Sequence, residues 1–403
     1  MKNRLVTVLD FGSTKVAGLT VERADNGSFV VKASASNPCT GMKRGLISDQ
    51  DEVLRSVVSV LKQLSNSVGQ PIEFVVACVS GPHYQGVNGQ GYVPIFPRNR
   101  PITREDVMQV MKHSRQVTVP ENMEQIQAVA REFRVDNERG VSQPIGMSGA
   151  RLEATTYIVT GNSAQVKLVE EVLLAAGVKV EMMVVGALAS GIAVLEAAEL
   201  ADRAVVIDVG GDGTDIGVFE RGSIAFCGYV PIGGQTITSD LSKLLKTTTE
   251  EAERLKKESG ASLASLAKDS DSVEVTQLGQ TQARPMQRRV LCEIIESRMR
   301  EISVFAKKEI ERSGLSPRHI VVTGAGASLD GVADLFGATF PEANVRAGGS
   351  RLVSDTNLRS AQWACAIGMA RYASESSEDE LSTASVDSWK DRIRTLWSLI
   401  SGK

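Results

Sequence analysis

Short runs of branched apolar residues end repeatedly in aspartate and glycine, and this pattern organises the chain. RLVTVLDFGSTKVAGLTVE predicts a buried strand, a turn over FGST and a returning strand, followed by an Asn26-Gly27 turn into SFVVKASAS. Far downstream, RAVVIDVGGDGTDIGVFERGSIAF repeats the plan. Each copy delivers an aspartate (Asp10, Asp208), a glycine two places on (Gly12, Gly210), small residues, and a strand that leaves in the opposite direction. Such a duplication predicts a two-lobed α/β chain. A third stretch, HIVVTGAGASLDGV, sets Gly324, Ala325 and Gly326 between a buried strand and a helix. Between the repeats, REDVMQVMKHSRQV has helical periodicity and AREFRVD reads as a strand, which predicts an inserted body.

The last residues, VDSWKDRIRTLWSLISGK, predict an amphipathic helix. At about 100° per residue, Val386, Trp389, Ile393, Leu396, Trp397 and Ile400 share one face, flanked by Lys390 and Arg392. The stretch is short of the roughly 20 apolar residues a bilayer span needs. It fits an in-plane anchor, with the tryptophans at the headgroup boundary and the basic side chains on anionic phosphates. The pattern alone fits equally a terminal helix docked on the protein's own core.

The composition of the 403 residues is that of an ordinary globular protein, and the net charge of −3 argues against a nucleic-acid partner. Five cysteines without a C-x-x-C pair fit free thiols in a reducing compartment. Three scattered histidines make a zinc site or a serine-histidine triad an unfavoured expectation. The N-terminus reaches aspartate and glycine before any long apolar run, so no signal peptide is expected and the chain should touch a membrane only through its end.

The glycine turns suit polyphosphate. Small residues let backbone N–H groups approach phosphate oxygens, and consecutive N–H groups form an anion-holding concavity. The candidates are Gly12, Ser13, Thr14 and Lys15 in the first turn and Gly210, Gly211, Gly213 and Thr214 in the second. Lys15 supplies a point charge for the β- or γ-phosphate. Asp10 and Asp208 could hold Mg²⁺ through water. No G-x-x-x-x-G-K-[ST] is present, so this is not a P-loop protein.

Taken in order, D-x-G-S-T-K, D-x-G-G-x-G-T-D and V-T-G-x-G resemble the actin, Hsp70 and hexokinase superfamily of ATP-binding proteins. Within it the chain resembles the FtsA family through VSGPHYQGVNGQG, PITREDV, QPIGMSGARLE, PIGGQTITSDL and RRVLCEIIESRMREI. The resemblance implies an actin-like (ribonuclease H-like) two-lobed α/β fold with a duplicated core. Its expected parts are subdomain 1A (1–82, 155–190 and a helix over 357–373), inserted subdomain 1C (83–154), subdomain 2A (191–241 and 301–356) and subdomain 2B (242–300). A flexible linker (374–385) and a membrane-targeting amphipathic helix (386–403) follow.

The family likeness further implies ATP with Mg²⁺ as ligand, with Gly233 and Gly234 among the nucleotide-binding residues and Glu253 and Lys256 of A-E-x-x-K on the sugar and base. It implies self-association into filaments, capture of the FtsZ C-terminal segment near Arg284 and Arg298, and contact with later division proteins through 1C. It also implies attachment to anionic lipids of the inner membrane, on the cytoplasmic face at the division site, through the terminal helix.

The chain departs from the family at three places. Where hydrolysing relatives often carry a glutamate, VVGALASG has Gly186 followed by Ala187, and glycine cannot orient a water. Asp212 puts an extra carboxylate beside the second turn, and Gly213 removes a hydroxyl. ATP binding with weak or absent hydrolysis is therefore expected. A PilM-like pilus-assembly ATP-binding protein and a sugar or acetate kinase remain the alternatives on the same fold. Trp389 and Trp397 argue against the first, and the second requires a base at another substrate pocket. A chaperone ATPase would require a peptide-binding domain after the second lobe.

Overall fold

Two five-stranded sheets with the same strand order carry the fold, and the computed structural model describes residues 5–24, 28–375 and 395–396. The first half contains β1 (Leu5–Phe11), β2 (Lys15–Arg23), β3 (Phe29–Pro38), the two-residue strands β4 (Met42–Lys43) and β5 (Leu46–Ile47), α1 (Gln50–Val68) and β6 (Phe74–Val79). An insert follows with β7 (Tyr84–Pro94), α2 (Arg104–Ser114), β8 (Met123–Val135), β9 (Glu138–Val141) and β10 (Arg151–Asn162). The chain then returns through α3 (Ser163–Ala175) and β11 (Lys179–Val185) into α4 (Gly186–Val194).

The second half runs α5 (Ala197–Ala201), β12 (Arg203–Val209), β13 (Thr214–Glu220), β14 (Ser223–Val230), α6 (Gly234–Leu245) and α7 (Thr249–Ser259). It continues with β15 (Ser272–Val275), β16 (Arg284–Gln287), α8 (Arg288–Glu311), β17 (His319–Thr323), α9 (Val332–Thr339) and β18 (Asn344–Ala347). Helix α10 (Ala364–Glu375) and the two-residue β19 (Thr395–Leu396) complete the described elements.

The two sheets read β3-β2-β1-β6-β11 and β14-β13-β12-β17-β18. In each, the first two pairings are antiparallel and the last two parallel. Strands β1 and β12 also share one burial pattern: four consecutive buried residues, then a partly exposed aspartate, then a buried one. Such runs belong to strands covered on both faces. Helix α1 provides part of the cover for the first sheet. Asp49 caps it by accepting from the Glu52 amide, and Val53, Val57, Val60 and Leu64 recur on its buried face. Helix α4 is buried at all nine positions, which places it in the interior between the lobes rather than on the surface.

The insert has its own core, built from Ile95, Ile102, Val110, Phe133, Leu152 and neighbours. A capping box between Thr103 and Asp106 starts α2, and Arg100 grips the Asp106 carboxylate with two guanidinium nitrogens at 2.6 and 2.7 Å. Several expected boundaries fall inside continuous elements. Residue 154 lies within β10, residue 190 within α4 and residue 300 within α8. A strand or helix shared by two bodies shows no break in hydrophobic period, so the sequence could not mark where one body hands over to the next.

The predicted terminal helix does not run through Leu396. Thr395 and Leu396 instead pair in parallel with Ala128 and Val129 of β8. A sheet edge offers unpaired backbone groups to any nearby chain, and amphipathic spacing alone does not hold a short helix together. Trp389, Lys390, Arg392, Ile393, Trp397 and Ile400 lie outside the described residues. Among the described residues, no helix is long and apolar enough to cross a membrane.

Candidate functional site between the two glycine turns

The duplicated turns match down to single hydrogen bonds. The Gly12 amide donates to the Lys15 carbonyl at 3.0 Å, and the Gly210 amide donates to the Gly213 carbonyl at 2.9 Å. A Cβ on Gly12 would lie 2.8 Å from the Lys15 oxygen, and one on Gly210 would lie 2.9 Å from the Gly213 oxygen. The shared ladder register sets Asp10 opposite Ala17 and Asp208 opposite Asp215. The second copy thus brings a third carboxylate to the same place.

The turns meet across a cleft. The Asp212 amide donates to Ser13 Oγ at 2.9 Å, and a Cβ on Gly211 would lie 2.6 Å from that oxygen and 2.7 Å from Thr14 Cγ2. Asp10, Gly12, Ser13, Asp208, Gly210 and Gly211 are among the residues that line the cleft, together with Gly213, Asp215 and Gly186. Thr14 is exposed at the rim, while Thr214 is buried and donates to the Ile232 carbonyl at 2.8 Å.

Asp10, Asp208 and Asp215 all bind a proton more tightly than an ordinary carboxylate, and the charge of Asp10 contributes at Asp208 and at Asp215. Poor solvation is the largest cause at each, and it lifts Asp208 to about 6 even though Ser190 Oγ donates to its carboxylate at 2.5 Å. Asp10 is also held above the ordinary carboxylate range by burial, against the lowering influence of Lys15 and of the Cys365 and Cys78 thiols. Asp215 stands well above it through burial and the charge of Asp208. Three carboxylates lining one cleft offer oxygen to a hydrated hard cation such as Mg²⁺, which keeps most of its own waters.

Lys15, the expected point charge for the β- or γ-phosphate, has partners of its own. Its ammonium donates to Gln362 Oε1 at 3.2 Å and sits 4.9 Å from the Trp363 ring centroid. Those two residues precede α10, a contact between distant parts of the chain that no local spacing encodes.

Behind the second turn lies PIGGQT. Amides of Gly234 and Gln235 donate to the Gly210 and Gly211 carbonyls at 2.9 and 2.8 Å, and a Cβ at Gly233 would collide with the Gly211 carbonyl. Lys256 then ties α7 to this segment through Gly234 O at 3.0 Å, Thr238 Oγ1 at 2.7 Å and Glu253 Oε2 at 2.6 Å. Glu253 and Lys256 are therefore paired beside the second glycine turn instead of projecting as an exposed charged face. Gly324, at φ 80°, crosses the end of β12 so closely that any side chain would strike Asp208 Oδ1. Gly326 packs on Val209, where a Cβ would lie 2.5 Å from Cγ1, and Ala325 between them is exposed.

Gly186 also lines the cleft, and a side chain there would collide with Ser80 Oγ. Ser80, Ser190, Asp215, Tyr229 and Cys365 are site residues that the sequence reading missed. Asp215 left a signal, a carboxylate inside the apolar run TDIGVF. The two serines and the cysteine left none.

The expected partner arginines are not alike. Arg284 is exposed at the start of β16. Arg298 is not a free cation: its guanidinium donates to Asp240 at 2.7 Å and pairs with Glu301. Helix spacing could reveal the Glu301 pair but not Asp240, which α6 brings in.

Sequence models of known families match two stretches: "Cell division protein FtsA" over residues 205–368 and "SHS2 domain inserted in FTSA" over residues 81–160. FtsA of Pseudomonas aeruginosa is 28% identical over 94% of this chain and 91% of its own length. FtsA of Escherichia coli is 29% identical over 97% of both chains. Among solved structures, the PilM-PilN type IV pilus biogenesis complex aligns with TM-score 0.61 at 15% identity, covering 92% of this chain and 99% of that one. MreB5 of Spiroplasma citri bound to ADP aligns with TM-score 0.53 at 12% identity, covering 92% and 95%. At those identities PilM and MreB5 share the actin-like fold, which the duplicated sheets already display. With that fold, its two turns facing one cleft, and an SHS2 insert where the second family model places one, the chain belongs to the FtsA family of cell-division proteins.

Proposed function

We propose that this protein binds Mg-ATP between its two glycine turns, assembles into filaments and tethers FtsZ to the cytoplasmic face of the inner membrane at the division septum. The observation that carries the nucleotide reading is the pair of matched turns closing on each other beside Asp10, Asp208 and Asp215. The solved MreB5 structures with ADP and AMPPNP support it by fold. Backbone amides of the turns would hold the phosphates, Asp10 and Asp208 would hold hydrated Mg²⁺, and Gly324 to Gly326 would face the adenosine. Bound Mg²⁺ would supply charge neutralisation for the phosphates.

Opening the Ser13–Asp212 contact admits the phosphates, which then bridge the lobes. ATP therefore acts as a ligand that biases lobe closure and assembly. Turnover is weak or absent, because Gly186 offers no side chain to orient water and Ser80 fills the adjoining space. The inserted subdomain, with its own core, is the surface for later division proteins. FtsZ's C-terminal segment docks on the second lobe near Arg284 and Arg298. The membrane contact uses Trp389, Ile393, Trp397 and Ile400, supported by two tryptophans and basic residues gathered in one short stretch, with Lys390 and Arg392 on anionic lipid.

Flotation with anionic vesicles, Mg-ATP and FtsZ tests the reading, comparing the full chain with one stopped at Ser385. Flotation of FtsZ by the full chain alone is the expected result. A chain that floats without FtsZ overturns the partner assignment, and a full chain that stays at the bottom overturns the anchor and returns the pilus or kinase alternatives.

A further inference from the structure

Beside the cleft, three groups far apart in sequence come within ligand distance of one another. Cys78, near the end of β6, and Cys365, in the first turn of α10, are both buried, and their sulfurs are 3.3 Å apart. An Asp10 carboxylate oxygen and the two sulfurs all lie within 4.8 Å of each other. Asp10 and Cys365 also line the cleft, which gives the cluster a path to solvent.

The donor set has a chemical preference. Two sulfurs and one carboxylate suit a borderline-soft divalent ion over Mg²⁺, which takes oxygen. Zinc–sulfur bonds of about 2.3 Å in a tetrahedron set the sulfurs about 3.8 Å apart, so a small side-chain adjustment suffices. Three protein ligands leave one position open, as in sites that exchange a water or an outside ligand.

We propose that Asp10, Cys78 and Cys365 form a site for a thiophilic divalent cation of the zinc class, and that its occupation competes with Mg-nucleotide for Asp10. On binding, each S–H bond breaks with its electron pair kept on sulfur to form the metal–sulfur bond. The two protons pass to solvent, and nothing is oxidised or reduced. An occupied site holds Asp10 on the soft ion and withdraws it from the hydrated Mg²⁺ that a nucleotide brings.

The test uses the full-length, reduced, nucleotide-free protein titrated with Co²⁺ as the probe. The expected result is a thiolate-to-cobalt charge-transfer band saturating at one equivalent. The band weakens in Cys78→Ser and in Cys365→Ser, disappears in the double variant and persists in Cys292→Ser, with circular dichroism confirming each fold. Excess Mg-ATP should raise the apparent Kd for Co²⁺ at least tenfold. A band that survives the double substitution, or no band from a protein whose five thiols all titrate, overturns the site. Three titratable thiols in place of five overturn it in favour of a disulfide. Cobalt binding indifferent to Mg-ATP, in protein shown by separate titration to bind ATP, overturns the competition. Because the band is read without nucleotide, failure of the ATP reading leaves it standing.

Discussion

The Asp212 amide donates to Ser13 Oγ at 2.9 Å, joining the second glycine turn directly to the first. The lobes are therefore in contact at the place where phosphates would sit, and nucleotide entry exchanges one neutral hydrogen bond for several bonds to an anion. A neutral bond of this kind contributes about 1 kcal/mol, whereas hydrogen bonds to charged groups contribute about 1.5–3 kcal/mol. The exchange favours the ligand.

Gly211→Val should cost ATP affinity at least tenfold while leaving the fold intact. Its added carbons would occupy the space of Ser13 Oγ and Thr14 Cγ2, and thus hold the turns apart. Titration calorimetry with Mg-ATP, alongside a thermal melt of the free protein, checks both halves. Unchanged affinity would place the phosphates elsewhere.

Gly186→Glu should not create an active ATPase. Its side chain would collide with Ser80, and overpacking of this kind costs about 1–3 kcal/mol. Pairing it with Ser80→Gly should recover much of that loss in urea unfolding. Phosphate release is the second readout, and fast turnover by the single variant would refute the steric argument.

Acid should weaken the fold through His83. Burial lowers its imidazole from 6.5 to about 4, and its Nδ1 has no hydrogen-bond partner among the described residues. The unfolded chain then binds a proton between pH 6.5 and 4 that the folded chain refuses. Stability is fully present above pH 6.5 and falls as pH drops through that window, by at most about 3 kcal/mol. His83→Gln should flatten the corresponding part of the urea-midpoint profile.

Arg298→Ala and Asp240→Asn should move FtsZ-peptide affinity in opposite directions. Loss of the guanidinium removes the cation, whereas loss of the Asp240 charge frees it from an internal partner at 2.7 Å. A part-exposed ion pair of this sort is worth about 0.2–1 kcal/mol, so a shift of several-fold at most is expected in each. Parallel weakening in both variants would mean that the pair acts only through local stability.

Much of the site was legible because the duplication is local. Aspartate, glycine and the following small residues are contiguous in each turn, and branched apolar runs before them require buried strands. The same duplication predicted two lobes, but the order in which the parallel strands β6, β11, β17 and β18 join the hairpins came only from the structure. The insert was visible as a change of period between two halves of one lobe, but its edges were hidden inside β10, which serves both bodies.

Residues that approach from other elements were hidden. Ser80 and Ser190 are single hydroxyls among small residues, and Gln362 and Trp363 reach Lys15 only when the start of α10 folds back on the first sheet. Asp240 reaches Arg298 only because α6 lies against α8. None of these contacts has a fixed sequence separation for a pattern to record.

By itself the sequence determined the two turns, because the tight bend between Gly12 and Lys15, and again between Gly210 and Gly213, is a matter of neighbouring backbone and small side chains. Only the tertiary structure decided what faces those turns. Asp10 meets Cys78 and Cys365, Gly186 meets Ser80, and Lys15 meets Gln362, because each pair is set by how a strand end and a distant helix pack across the cleft. Packing of that kind is fixed by the summed burial of whole elements, and no single stretch of the chain contains it.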